Sequence, residues 1–201
     1  MISVLTGSNS FLVAEKLATI KSEFVTQHSV DGVESYNGDQ IQPEDVANIF
    51  LGVTLFAQNR LVVIKDLSTN KEAAERLLSI IEIVPSEVHV VLVESQLDKR
   101  TNLYKVLKQQ ADFYEFNELD EAALTQWVSE YVKNAGGRVD AGSARLLTNY
   151  VGSNQLQLKN ELDKLVAYDP TITSETIELL VERRPQDTVF QLLDSALSGN
   201  Q

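Results

Sequence analysis

The stretch Thr6-Gly7-Ser8-Asn9-Ser10-Phe11-Leu12 stands where an apolar run gives way to a helical pattern, the usual place for a phosphate-cradling loop. That chemistry asks for G-x-x-x-x-G-K-[ST], with glycines to let backbone N–H groups approach the phosphates and a lysine to meet their charge. Gly7 is present; the second glycine, the lysine and the hydroxyl after it are missing. Ser8, Asn9 and Ser10 read instead as N-cap candidates for the helix that follows. A magnesium site would close a later apolar strand with acidic residues, but Ile64-Lys65-Asp66 puts lysine where the first acid is wanted, and a lone aspartate is ordinarily a turn residue.

Other constellations are poorer. The sequence holds no G-x-S-x-G nucleophile elbow and no H-E-x-x-H pair. Glu161 and Asp163 share a helical stretch, but two positions apart they point away from each other. Arg183-Arg184 could reach a phosphate, although before Pro185 they equally complement a helix C-terminus. His28 and His89 lie far apart, outside any metal-ligand spacing, and read as an exposed loop residue and a strand residue. With no cysteine there is no disulfide, thiolate nucleophile or thiolate metal site. No cofactor and no metal are expected.

Composition narrows the class further. The 201 residues are 43% hydrophobic and 23% charged, ordinary for globular chains and enough for one or two domains with a sizeable core. The formal net charge of −12 argues against the chain gripping a phosphate backbone by itself, which rests on clustered Lys and Arg, so contact with DNA is expected only inside a larger assembly. No long uncharged apolar run is present and no basic region precedes Ile2, so neither a membrane span nor a secretory signal is expected, and a cytoplasmic protein is.

The elements that must position these residues alternate. Ile2–Thr6, Val33–Tyr36, Leu61–Ile64, Val88–Val93 and Phe113–Phe116 read as strands. Between them lie helical patterns over 11–24, from Pro43 to Gly52, from Asn70 through Ile83, and over 100–110. This order predicts a five-stranded parallel sheet covered on both faces. After Asn117 the strands stop. Helices are predicted over 118–134, 140–151, 155–168 and 174–183, the last capped by Thr173, giving a small all-helical domain. Residues 1–117 and 118–186 are therefore expected to form two domains. The tail over 187–201 (Val189, Phe190, Leu193, Leu197) reads as a further helix, the first element of a third domain that is cut short.

One stretch fits less easily. Leu55-Phe56 precedes the polar break Gln58-Asn59-Arg60, just before the buried strand Leu61–Ile64. Either the pair tucks into the chain's own core, covering the sheet edge, or it is held out for a partner. Lys99, Arg100 and Lys105 form the clearest local basic cluster, which either faces DNA or a neighbouring subunit, or is a solvated helix face.

A parallel five-stranded sheet followed by a helical lid is the outline of an AAA+-type module, here with a degenerate nucleotide site. More specifically, the chain resembles the δ subunit of the bacterial DNA polymerase III clamp loader. The resemblance rests on Thr-Leu-Phe-Ala-Gln-Asn-Arg-Leu-Val-Val-Ile (54–64), on Leu97-Asp98-Lys99-Arg100 followed by Leu103-Tyr104-Lys105, on Lys159-Asn160-Glu161-Leu162-Asp163-Lys164-Leu165, and on Val189-Phe190-Gln191-Leu192-Leu193-Asp194-Ser195-Ala196-Leu197. It covers essentially the whole chain.

The resemblance implies an AAA+-like fold that has lost nucleotide binding. It implies a subunit of the DNA polymerase III holoenzyme that binds the ring-shaped sliding clamp and opens one of its interfaces for loading onto primed DNA. The Leu-Phe pair inserts into a hydrophobic pocket on the clamp; here that pair is Leu55 and Phe56, with Val53 and Thr54 as flanking contacts. Clamp-binding peptides often carry a glutamine three residues before the leucine, and here that position is Gly52. Residues 187–201 would open the collar domain through which the other loader subunits are met. Two further readings remain: an active P-loop-type ATPase with an unconventional phosphate loop, and an adaptor that uses the Leu-Phe pair on another partner.

Overall fold

The computed structural model describes residues 1–52 and 58–183. Five apolar runs form the strands β1 (Ile2–Thr6), β2 (Val33–Asn37), β3 (Arg60–Lys65), β4 (Val88–Glu94) and β5 (Asp112–Glu115). They pair in parallel in the order β2-β3-β4-β1-β5, with Val63 opposite Val91 and Val4 opposite both Leu92 and Phe113. The connections carry α1 (Ser10–Gln27), α2 (Val46–Leu51), α3 (Lys71–Ile80) and α4 (Asn102–Gln110). A sheet covered on both faces needs apolar side chains on both sides of each inner strand, which is why β3 and β4 read as continuous rather than alternating runs.

The alternation inside those runs assigns the faces. Val62 and Ile64 join Val4, Val90 and Leu92 in a core closed by Val46, Ile49 and Phe50 of α2, Leu77 and Ile80 of α3, and Leu103 and Leu107 of α4. Leu61 and Val63 join Leu5 and Val91 on the opposite face, under Ile20 and Phe24 of α1. Each fully buried Leu, Ile or Phe contributes about 1.5–3 kcal/mol, so this two-sided core is the main source of stability in the first unit.

Two helix boundaries differ from the sequence reading. The turn at Pro43–Asp45 is a 3-10 turn and the α-helix begins only at Val46. The stretch Ile81–Ile83 tightens into a 3-10 turn before Pro85, whose ring disfavours helix in the residue ahead of it. Asn70 caps α3 by accepting from Ala73 N at 3.1 Å, while its amide donates to the carbonyls of Gly38 and Ile41.

The contacts divide the chain into two compact units, Met1–Glu118 and Leu119–Gln201. The second contains α5 (Glu121–Asn134), α6 (Ala141–Val151), α7 (Gln155–Tyr168) and α8 (Ser174–Leu180). Each helix starts on a side-chain cap: Asp120 accepts from Ala123 N, Asp140 from Gly142 N and Ser143 N, Asn154 from Gln157 N, and Thr173 forms a reciprocal capping box with Thr176. Their apolar faces meet in one core built on Leu124, Val128, Leu147, Leu158, Leu162, Leu165 and Ile177. Trp127 and Tyr131 of α5 are only half-buried, while Val132 takes an inner position.

The unit is not wholly helical. Arg138–Val139 (β6) pairs in parallel with Thr171–Ile172 (β7), and this corrects the expectation that strands stop after Asn117. Two residues are too short to show an alternation in sequence; the pair exists because the turns after α5 and α7 come side by side.

Candidate functional site

The approach to the Leu55-Phe56 stretch is built from both sides. Val46, Ile49 and Phe50 bury one face of α2, and Gly52 ends the helix, its N–H donating to Asn48 O at 2.9 Å. Gly52 has an ordinary φ of −64°, so it is not a left-handed cap. A glycine is needed there for space, since a Cβ would lie 2.3 Å from the Asn48 carbonyl oxygen.

On the far side, Arg60 opens β3 and is only 5% exposed. Its Nε and Nη2 donate to the two carboxylate oxygens of Glu34 on β2 at 2.6 and 2.8 Å, and its Nη1 donates to the Gly52 carbonyl at 2.6 Å. The Tyr36 hydroxyl adds a hydrogen bond to Glu34 at 2.7 Å. The guanidinium holds the Glu34 carboxyl below its ordinary range, and burial together with the adjacent carboxylate pushes the Tyr36 phenol up to about 12. The fork therefore satisfies a carboxylate and a main-chain carbonyl at once, a geometry lysine cannot supply. Val53, Thr54, Leu55 and Phe56 themselves lie outside the described residues.

At the end of β1, Gly7 adopts φ +124° and a Cβ there would fall 1.9 Å from the Phe116 carbonyl oxygen. Asn9 N donates to that same oxygen at 3.0 Å, and Asn9 caps α1 by accepting from Leu12 N at 3.0 Å. Among Ser8, Asn9 and Ser10, the cap is Asn9. Asp66 sits in the left-handed region at φ +53°, and its Oδ1 accepts from Ser95 N at 3.0 Å and Ser95 Oγ at 2.7 Å. That carboxylate is a tie between the turns following β3 and β4, as the turn reading of Asp66 anticipates.

The basic cluster comes apart. The helix was expected from Arg100, but α4 begins at Asn102 with Thr101 as its cap, so Lys99 and Arg100 lie in the turn ahead of it. Lys99 reaches Glu115 at 2.8 Å and Arg100 folds back in a two-pronged contact with Asp98. Only Lys105 stands on the exposed face of α4. Glu161 and Asp163 likewise face different partners, Lys164 and Lys159 respectively, with Tyr131 also donating to Asp163 at 2.5 Å. Arg183 lies over the Tyr150 ring, 5.9 Å from its centroid, and Arg184 falls outside the described residues.

The sequence reading missed Glu94. This last residue of β4 is 1% exposed, and among the described residues no cation contributes to its surroundings. Its carboxylate accepts from Ser68 N at 3.2 Å and Ser68 Oγ at 2.5 Å, and burial pushes its pKa up to about 7 with a smaller push from Asp66. A glutamate ending an unbroken apolar run is the only sequence signal of it. Among the described residues no group of His, Cys, Asp and Glu is arranged to hold a metal ion, and no helix is long and apolar enough to cross a membrane.

The sequence matches the family described as "DNA polymerase III, delta subunit" over residues 4–117. The chain belongs to this delta subunit family. A curated relative from Aquifex aeolicus (strain VF5), described as "Probable DNA polymerase III subunit delta", is 25% identical over 83% of the chain and 50% of its own length. The DNA polymerase III subunit delta of Bacillus subtilis (strain 168) is 25% identical over 96% of the chain and 60% of its own length. The chain thus spans half to three fifths of the length of these delta subunits. In fold it is similar to the Bacillus subtilis DNA clamp loader delta protein, with a TM-score of 0.79, 21% identity and coverage of 96% of this chain and 62% of that one. A more distant likeness, TM-score 0.50 at 12% identity over 89% of this chain and 62% of the other, is to a RuvB mutant of Thermotoga maritima. The delta subunit family thus has here an AAA+-like α/β unit followed by a mainly helical one.

Proposed function

We propose that this chain binds a sliding clamp through Leu55 and Phe56, with Val53 and Thr54 as flanking contacts, and opens the ring for loading onto primed DNA without hydrolysing nucleotide itself. Membership of the delta subunit family, whose match spans residues 4–117 and so includes the whole stretch, carries the reading. The Arg60–Gly52 hydrogen bond supports it, because it fixes the main chain immediately ahead of Val53. The Gly7 contact with Phe116 and the engagement of Asp66 by Ser95 support the absence of hydrolysis, since both leave little of a phosphate cradle or metal site. On this reading residues 187–201 open a third domain that meets other loader subunits, Lys105 with Lys99 and Arg100 is a secondary contact to DNA or a neighbouring subunit, and the protein works in the cytoplasm.

Attachment alone does not open a ring. A ligand shifts a closed–open equilibrium only by its difference in affinity for the two states. Leu55 and Phe56 anchor the clamp while α2 presses on it and favours the displaced interface. Burying the two side chains is worth roughly 1.5–3 kcal/mol each, enough for much of a micromolar affinity. Calorimetric titration of the cognate clamp, without nucleotide, tests the anchor. The parent chain should bind, and a Leu55→Ala/Phe56→Ala variant should lose at least tenfold while remaining folded. Equal binding by both chains would return the pair to the protein's own core. Equal affinity for ring and monomeric clamp would remove the opening step.

A further inference from the structure

Strand order places a crevice on this sheet that the clamp-binding reading does not use. The connection leaving β1 runs through α1 toward β2 on one face, and the connection leaving β4 runs through α4 toward β5 on the other. Neighbouring strands whose connections depart in opposite directions leave an opening beyond their carboxyl ends, the habitual ligand position in open α/β sheets. Here the opening continues into the cleft between α3 and α4 as a cavity of about 980 Å³. That volume is at the upper end of the range for small-molecule sites.

The lining is chemically selective. Ala74 and Leu78 of α3 form one apolar wall, and Leu103 and Tyr104 of α4 the other. At the strand ends the Thr6 side chain lines the cavity, although Thr6 is only 4% exposed, and its hydroxyl has no hydrogen-bond partner among the described residues. The amides of Gln96 and Asn102 are likewise uncommitted. A hydroxyl and two side-chain amides that open onto a recess with apolar walls are groups that a ligand can engage.

Charge settles the class. The lining carries Lys71 and Lys99 against Glu75, Asp98 and Glu115, and Lys99 is already held by Glu115. With Lys99 held by Glu115 and Asp98 held by Arg100, one lysine, Lys71, is left against one carboxylate, Glu75, so the lining offers no surplus of positive charge to hold a polyphosphate. The rim is also fixed before any ligand arrives, because Ser68 is tied to Glu94 and Ser95 to Asp66.

We propose that this cavity binds an uncharged, ring-bearing small molecule, with its flat body between the α3 and α4 walls and a hydrogen-bonding edge on the Thr6 hydroxyl and the Gln96 and Asn102 amides. The test is titration of the isotope-labelled chain by two-dimensional NMR, with adenosine and indole as neutral ring probes and ATP and inorganic phosphate as charged comparators. Saturable shifts confined to the amides of Thr6, Leu78, Gln96 and Leu103 are expected with a neutral probe at up to millimolar concentration. Thr6→Val, which removes the hydroxyl at nearly constant shape, should weaken that binding at least fivefold. Gln96→Trp, a substitution at an exposed rim position, should abolish it while the resonances of β3 and of the second unit stay in place. Absence of these shifts with both neutral probes overturns the proposal. So does tighter binding of ATP than of adenosine, or binding unchanged in both variants.

Discussion

Arg60 Nη1 donates to the carbonyl oxygen of Gly52 at 2.6 Å while the remainder of the same guanidinium grips Glu34. One side chain thereby joins the end of α2 and the starts of β3 and β2, three places that sequence order keeps apart.

Removing that side chain should cost far more than removing a surface ion pair. Replacing Arg60 by methionine leaves the half-buried Glu34 carboxylate and the Gly52 carbonyl without their donor, and a loss of about 3 kcal/mol is expected. Glu34→Gln keeps the Gly52 hydrogen bond and should lose about 1 kcal/mol. Urea unfolding followed through hydrogen exchange of the β3 amides checks both. Arg60→Met and Glu34→Gln equal in effect would mean that the Gly52 contact contributes nothing.

Glu94 should give the fold an unusual pH response. It faces Asp66 and the Ser68 N–H and hydroxyl, and its folded pKa is raised to about 7 from an ordinary value of 4.5. A carboxyl raised on folding prefers to be protonated in the native state, so its contribution is fully present below about pH 4.5 and is lost as pH rises through 7. Glu94→Gln keeps the acceptor for Ser68 and cannot ionise. Relative to the parent, that variant should therefore gain about 3 kcal/mol of stability between pH 4.5 and pH 8. Denaturant midpoints of the two proteins measured across this window decide the matter; parallel curves would show that the carboxyl titrates normally.

Two glycines with positive φ should respond very differently to alanine. Gly136 (φ +80°) has nothing within 4 Å of an added Cβ, so Gly136→Ala carries only the left-handed backbone penalty of about 1–2 kcal/mol. Gly7 (φ +124°) carries backbone strain and a collision with Phe116, and Gly7→Ala should cost more than twice as much. Fluorescence of Trp127, the single tryptophan, follows the unit holding Gly136, and exchange of the β1 and β4 amides follows the other. Similar losses at both positions would mean that the main chain near Phe116 yields to the new methyl.

Much of the architecture could be read from apolar runs because burial on both faces writes an unmistakable pattern: Leu61–Ile64 and Val88–Val93 each lie wholly within their strand. Thr173 was legible as a cap because its chemistry is local. The Arg60–Glu34 pair was not, since its partners sit 26 positions apart and meet only through the β2–β3 register. Nor was the parting of Lys99 and Arg100 from Lys105. Three cations in seven residues look like one helical face until Thr101 caps the helix behind the first two. Leu55 and Phe56 are a different case, because residue pattern leaves them equally suited to a core or to a partner, and family resemblance alone chooses between those roles.

The bond between Arg60 and Gly52 also makes that part of the chain a place for grafting. A segment whose two ends are held by the scaffold can change in length at little thermodynamic expense, since each doubling of the closed stretch adds only about 0.6 kcal/mol of closure entropy. Foreign recognition sequences inserted between these two residues should leave α2, β3 and the sheet behind them intact.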